Sequence, residues 1–315
     1  MTRRPAANVA ASVGQRLRNR ARADGQDFQL VLTHYGIERL LYRVAQSVHA
    51  DRFVLKGAML FRVWEGRSPR QTQDLDLLAR GDADTMEGVF TEVARTAVTP
   101  DDGLIFDPAS VRSEPIRDQS EYRGVRVRLE ARLGNARIPL QIDVGFGDVV
   151  TPRPVRAPYP TLLDLPGPAM RMYPRETVVA EKFQAMVALS TANTRVKDYF
   201  DLWHLAEHYA FDGAVLGRAL HRTFERRAAV PLPDRTPAGL SAEYLEDPAR
   251  MRQWAAVVQR STGARSETSL SEAGAGIAEF VMPATAEGFS GEWQPGGPWR
   301  PGSASAMTSL GTFRT

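Results

Sequence analysis

Apolar and polar positions follow helical spacing first, strand alternation next and helical spacing again along this chain. From residue 11 to 49, Phe28, Leu30, Val31, Leu32, Leu40, Leu41 and Val44 recur at helical intervals and predict a helical lead-in. Phe53-Val54-Leu55 reads as a strand, Lys56-Gly57-Ala58 as a turn and Met59 to Trp64 as a short helix, with another helix over 84–97. Val125, Val127 and Leu129 then alternate with Arg126, Arg128 and Glu130. After Gly134-Asn135, Ile138, Leu140, Ile142 and Val144 alternate with Gln141 and Asp143, so the pair predicts a hairpin. Prolines 152, 154, 158, 160, 166, 168 and 174 break the next stretch, which is expected to join two halves without regular elements. Helices are predicted over 176–189, 196–209, 213–230 and 241–260, then a polar run over 261–276 and a short apolar segment from Ile277 to Met282. The organisation expected is a basic arm and helix start (1–24), an α+β domain (25–151), a Pro-rich link (152–175), a helical domain (176–283) and a disordered tail rich in Gly, Pro, Ser and Thr (284–315).

Within that pattern a few polar residues stand where chemistry is at stake. Asp74 and Asp76 alternate with Leu75 and Leu77, so in a strand both carboxylates leave one face, about 6.6 Å apart along the backbone. Two such anions repel unless a cation joins them, and Mg²⁺ suits because it takes one or two carboxylates and leaves its other positions to water and substrate phosphates. The ordinary alternative is an Asp-x-Asp in a solvated loop or cap. The Gly57 turn just upstream argues for the metal reading, since backbone amides opening a helix are placed to meet a phosphate, although a glycine there also serves simply to relieve the backbone. Asp143 lies opposite Ile142 and Val144 and offers a third carboxylate, or a plain surface position. Lys182 falls inside the apolar stripe Val179, Phe183, Met186 and Val187, where a lysine requires an anion or a path to the edge. Asp198 and Asp201 share a helix face with Leu202, Leu205 and Tyr209; the simple account pairs these acids with Lys182 or Arg195.

Composition narrows the options. The chain has 315 residues, no cysteine and five histidines, which excludes disulfides and thiolate metal sites and argues against a zinc enzyme. No apolar run approaches the ~20 residues of a membrane span, so no membrane association and a cytoplasmic location are expected. Net charge is only +3, but Arg3, Arg4, Arg16, Arg18, Arg20 and Arg22 stand together without an acid. That segment reads either as a phosphate-contacting surface or as the solvated face of a first helix.

Four motifs in order, Gly57-Ala58-Met59-Leu60, Asp74-Leu75-Asp76, Glu181-Lys182-Phe183-Gln184-Ala185 and Lys197-Asp198-Tyr199-Phe200-Asp201-Leu202, resemble those of the AbiEii/AbiGii-type nucleotidyltransferase toxins, the MenT-like toxins among them. The similarity covers roughly residues 25 to 210. It implies an α+β nucleotidyltransferase fold of the DNA polymerase beta type, a mixed sheet flanked by helices, with a helical C-terminal half. It implies Asp74, Asp76, Lys182 and Asp198 as catalytic residues, and Asp74, Asp76 and Asp143 as the Mg²⁺ side. Lys56, Gly57, Ala58, Arg70, Thr72, Lys182 and Asp201 would meet the nucleotide. The activity implied is transfer of a nucleoside monophosphate from an NTP to the 3′ end of tRNA, which blocks translation, with a cognate antitoxin as partner. Two departures stand out: Ala58 and Met59 supply no hydroxyl at the first motif, and no arginine follows the third motif before Arg195. Two other readings share these residues, nucleotidylation of a protein or small-molecule acceptor and a nucleotide-binding module without catalysis.

Overall fold

The computed structural model describes residues 8–116, 124–262 and 267–302. Arg3 and Arg4 of the basic arm lie outside them. The described residues form two compact units, one ending at Pro174 and joined by a few residues from Arg260, the other comprising Arg175–Gln259 and the residues from 267.

The helical lead-in expected over 11–49 consists of two helices, α1 (Val9–Ala23) and α2 (Phe28–Gln46). Gly25 at φ +60° ends one helix, and the Asp27 carboxylate starts the next by accepting from the Leu30 amide at 2.9 Å. Then follow β1 (Phe53–Lys56), α3 (Leu60–Glu65), β2 (Asp74–Ala79), α4 (Met86–Ala94), β3 (Leu104–Ile116), β4 (Gly124–Leu133), β5 (Ala136–Phe146), β6 (Val155–Pro158) and β7 (Ala169–Met172). They build a seven-stranded sheet in the order β3-β4-β5-β2-β1-β7-β6. It is mixed: β2 runs parallel to β5 and β1 to β7, while the other pairs are antiparallel.

The Pro-rich stretch over 152–175 is therefore not without regular elements. Pro158 sits on β6, the outermost strand, where a missing amide costs no internal ladder bond, and β7 enters beside β1.

A buried charge cluster fixes α2 to the sheet. Gly36 lets the helix approach closely, since a Cβ there would meet Ile138 and Leu140 at 3.1 Å. Three residues on, Arg39 Nε donates to Asp102 Oδ2 at 2.9 Å, and Arg43 donates to both Asp102 oxygens at 2.6 and 3.1 Å. Burial opposes ionisation of Asp102, yet the hydrogen bonds from Arg43 and Arg39 hold its carboxyl below the usual value. Beside it, burial pushes Glu38 up to about 7, against the Leu162 amide that donates to it at 2.7 Å and the charge of Arg39.

The second unit contains α5 (Arg175–Leu189), α6 (Val196–His208), β8 (Phe211–Asp212), α7 (Gly213–Arg227), α8 (Ala242–Leu245), α9 (Pro248–Thr262), α10 (Leu270–Val281), β9 (Gly291–Trp293) and β10 (Trp299–Pro301). Pro248 divides the helix expected over 241–260 at its N-terminal end. The polar run also differs, because a Ser269–Glu272 capping box starts α10 well before Ile277. Part of the tail expected to be disordered is ordered too: Trp293 and Trp299 pack on Phe280 with centroids 5.0 and 6.1 Å away, so aromatic area replaces the aliphatics the tail lacks. Residues 303–315 lie outside the described residues.

Two stability measurements follow. Asp102→Ala leaves two buried guanidinium groups without their carboxylate and should cost about 3–5 kcal/mol in urea unfolding. Glu38 has its folded pKa above its unfolded one, so its contribution is fully present below pH ~4.5 and lost as pH rises towards 7. Glu38→Gln should therefore gain stability relative to the native chain over that window, on the order of 2–3 kcal/mol, and hold a constant difference above it, as read from unfolding curves at stepped pH.

Candidate active site

The hydrophobic alternation of β2 sends Leu75 and Leu77 into the core, both fully buried, and turns Asp74 and Asp76 to the other face, the first exposed and the second half-buried. Register then decides what stands beside them. Lys56 of β1 pairs with Asp76, Asp76 pairs with Asp143 of β5, and Asp143 pairs with Arg126 of β4. One row thus crosses four strands with cations at its ends and two carboxylates in the middle.

Each end cation is engaged. Lys56 Nζ lies 2.9 Å from Asp148 Oδ2. Arg126 grips Asp143 with two parallel bonds, Nε to Oδ1 at 2.8 Å and Nη2 to Oδ2 at 2.7 Å. The bonds to Asp143 raise the Arg126 pKa against some desolvation, and the charges of Asp143 and Asp74 add to the effect. Asp143, expected as a third metal carboxylate, is placed in line with Asp76 but holds a guanidinium.

Gly57 sets the tightest constraint. Its φ is +70°, and a Cβ built on it would stand 2.0 Å from Oδ2 of Asp76. No side chain fits between the turn and the carboxylate, so Gly57 is demanded twice, by backbone conformation and by space. Ala58 and Met59 after it are buried, and only their backbone can serve a ligand.

The segment leading into β2 is held from behind. His34 Nε2 lies 2.8 Å from the Thr72 carbonyl, and its Nδ1 faces Arg62 Nη1 at 3.4 Å. Burial, then the Arg62 charge, lowers this histidine to about 4, so it is neutral, donating to Thr72 and accepting from Arg62. Arg70 and Thr72, expected to touch nucleotide, are both buried in this segment.

In the second unit the misfit lysine has found its anions. Lys182 Nζ lies 2.5 Å from Asp198 Oδ1 and 2.9 Å from Asp201 Oδ2, with Asp201 fully buried. This is the ion-pair arrangement anticipated from spacing, and it places all three motif residues in one triad. Arg195 stands at the N-cap of α6.

Sequence reasoning missed Arg126, Asp148 and His34. A signal existed for Arg126: the two-residue turn Gly134-Asn135 fixes Leu133 opposite Ala136, and counting back along the hairpin puts Arg126 opposite Asp143. Asp148 and His34 are remote in sequence from their partners and gave none.

Among the described residues no group of three or more His, Asp or Glu is arranged to hold a metal ion. The two carboxylates of β2, with a glycine cradle against one of them, suit a cation that takes two protein ligands and keeps its other positions for water and phosphate. No described helix is long and apolar enough to cross a membrane.

No curated protein matches the chain. Among solved structures, a candidate nucleotidyltransferase from H. pylori shares 14% identity, covering 78% of this chain and 91% of its own, at a TM-score of 0.42. JHP933 from Helicobacter pylori shares 16%, covering 78% and 88%, at 0.41. The family model for the nucleotidyl transferase AbiEii toxin of type IV toxin–antitoxin systems matches residues 39–275, a span containing Gly57, Asp74, Asp76, Asp143, Lys182 and Asp198. The chain is a nucleotidyltransferase and belongs to the AbiEii toxin family.

Proposed function

We propose that this enzyme transfers a nucleoside monophosphate from an NTP to the 3′-hydroxyl end of tRNA, with Mg²⁺ held by Asp74 and Asp76, and that an antitoxin restrains it. The observation that carries the reading is the close approach of Gly57 to Asp76, which brings the turn of the first motif against one carboxylate of the second. Asp74 and Asp76 would be the metal ligands, and the cation would supply charge neutralisation at the α-phosphate and the departing pyrophosphate. Asp143 stays with Arg126, so the fixed positive charge of the guanidinium takes the place beside the third carboxylate.

In the reaction the acceptor hydroxyl oxygen bonds to the α-phosphorus, the bond to the bridging α–β oxygen breaks, and pyrophosphate leaves. The hydroxyl proton passes to a neighbouring carboxylate and then to solvent. The backbone of the Gly57 turn would orient the triphosphate, since Ala58 and Met59 offer no hydroxyl. Lys182, held by Asp198 and Asp201, would contribute positive charge to the phosphates. Arg70, Thr72 and Ala58 are buried and would act only through shape and backbone, while Lys56, paired with Asp148, would add a positive end to the row rather than a direct phosphate ligand.

Incubation of the protein with each labelled NTP, Mg²⁺ and tRNA tests this directly. Label should appear on tRNA, disappear with chelator, and be lost with Asp74→Ala and Lys182→Ala. Label on protein instead would favour a protein acceptor, and no label with any NTP or metal would favour a binding module. A second outcome is specific to the glycine: Gly57→Ala should lower activity about 100-fold or more, as should Asp76→Asn, and should also lower the melting temperature, because its Cβ strains the turn and pushes the Asp76 carboxylate aside, and displacement of a reacting group by about 1 Å is enough for that loss.

A further inference from the structure

The polar face of the sheet continues past the carboxylates. Two residues along from the Lys56–Asp76–Asp143–Arg126 row, Asp74 pairs with Gln141 and Gln141 with Arg128, making a second row on the same face. Here the sheet opens into a cleft of about 520 Å³, to which Gln29 and Thr33 of α2 and Gln73 ahead of β2 also contribute. That volume is within the usual range for small-molecule sites.

The chemistry of the lining is selective. Three glutamines, a threonine and Ser110 offer neutral donors and acceptors, able to read the edges of a flat heterocycle and the hydroxyls of a sugar, while Glu130 at the rim is already paired with Arg132 and Arg137. Arg128 is its one arginine, half-exposed and 2.6 Å from an equally exposed Glu114. A surface pair of this kind is worth about 0–1 kcal/mol, so a phosphate oxygen can replace Glu114 at little cost. A triphosphate is a poor occupant, with Asp74 at one wall and a single arginine to meet it. The Gly57 turn, moreover, follows β1, the neighbour of β2 on the side opposite β5 and β4. Asp74 and Asp76 therefore stand between a turn suited to phosphates and a cleft rich in amide side chains, with two carboxylates and one arginine, that suits one nucleoside carrying one phosphate.

We propose that this cleft seats the 3′-terminal nucleoside of the acceptor strand, its sugar hydroxyl beside Asp74, its base among Gln29, Gln73 and Gln141, and the preceding phosphate on Arg128. The assignment rests on the nucleotidyl-transfer reading above and adds the acceptor subsite to it.

Arg128→Ala and Gln141→Leu separate the two ideas. Binding of a short single-stranded RNA with a free 3′-hydroxyl is read by fluorescence anisotropy at several salt concentrations, and binding of Mg²⁺–NTP by calorimetry, alongside the RNA-labelling assay. Each variant should weaken RNA binding about tenfold, and Arg128→Ala should lower the salt slope by about 1, with NTP affinity unchanged within twofold. RNA affinity equal to the native chain in both variants overturns the assignment, as does loss of NTP affinity alone, which would put the donor base in the cleft. If the native protein labels RNA while the variants bind it normally, the cleft assignment falls and the transfer reading stands. If the native protein labels a protein acceptor and binds no RNA, both fall.

Discussion

Everything at the site depends on one close approach, the backbone of Gly57 against the carboxylate of Asp76. A strand-turn-helix and a neighbouring strand can lie this near only where one residue has no side chain, and the 2.0 Å clash that a Cβ would meet shows how little room remains. The approach joins two short sequence motifs into one place, and in the function we propose the turn would contribute backbone and proximity rather than a hydroxyl.

Around that contact the sheet arranges charge by register. Lys56, Asp76, Asp143 and Arg126 line up across β1, β2, β5 and β4, so the repulsion between two adjacent carboxylates is met at both ends by cations that are themselves anchored. Asp74, two residues away along β2, borders the glutamine-lined cleft instead. The same strand thus presents one carboxylate to a charged row and another to a hydrogen-bonding surface. Behind it, the neutral His34 and the Arg39–Asp102–Arg43 cluster fix α2 and the segment entering β2, which keeps the site's geometry a consequence of the core rather than of a loop.

Much of this was legible in the sequence. The Asp-x-Asp strand, the Gly57 turn and the hairpin followed from alternation and turn chemistry, and the four ordered motifs pointed to the family to which the chain belongs. Lys182 announced an anionic partner because an apolar stripe tolerates no lone ammonium, and Asp198 and Asp201 answered it. What escaped was decided by tertiary context. Prolines on an edge strand still join a sheet, as β6 does, and two tryptophans organise a segment whose polar composition reads as disorder. The helix break at Gly25 was signalled by Gly25 and Asp27 but masked by apolar spacing on both sides. His34 and Asp148 reach partners 38 and 92 positions away, beyond what local pattern can convey.

In the function we propose, Asp74 and Asp76 together would hold the divalent cation on which a nucleoside triphosphate is bound. A crystal structure with Mn²⁺ and a non-hydrolysable NTP tests it most directly. The account predicts an anomalous peak within about 2.0–2.3 Å of an oxygen of each aspartate and of a phosphate oxygen, with Arg126 still on Asp143. A peak elsewhere, or a triphosphate bound away from the Gly57 turn, would contradict it.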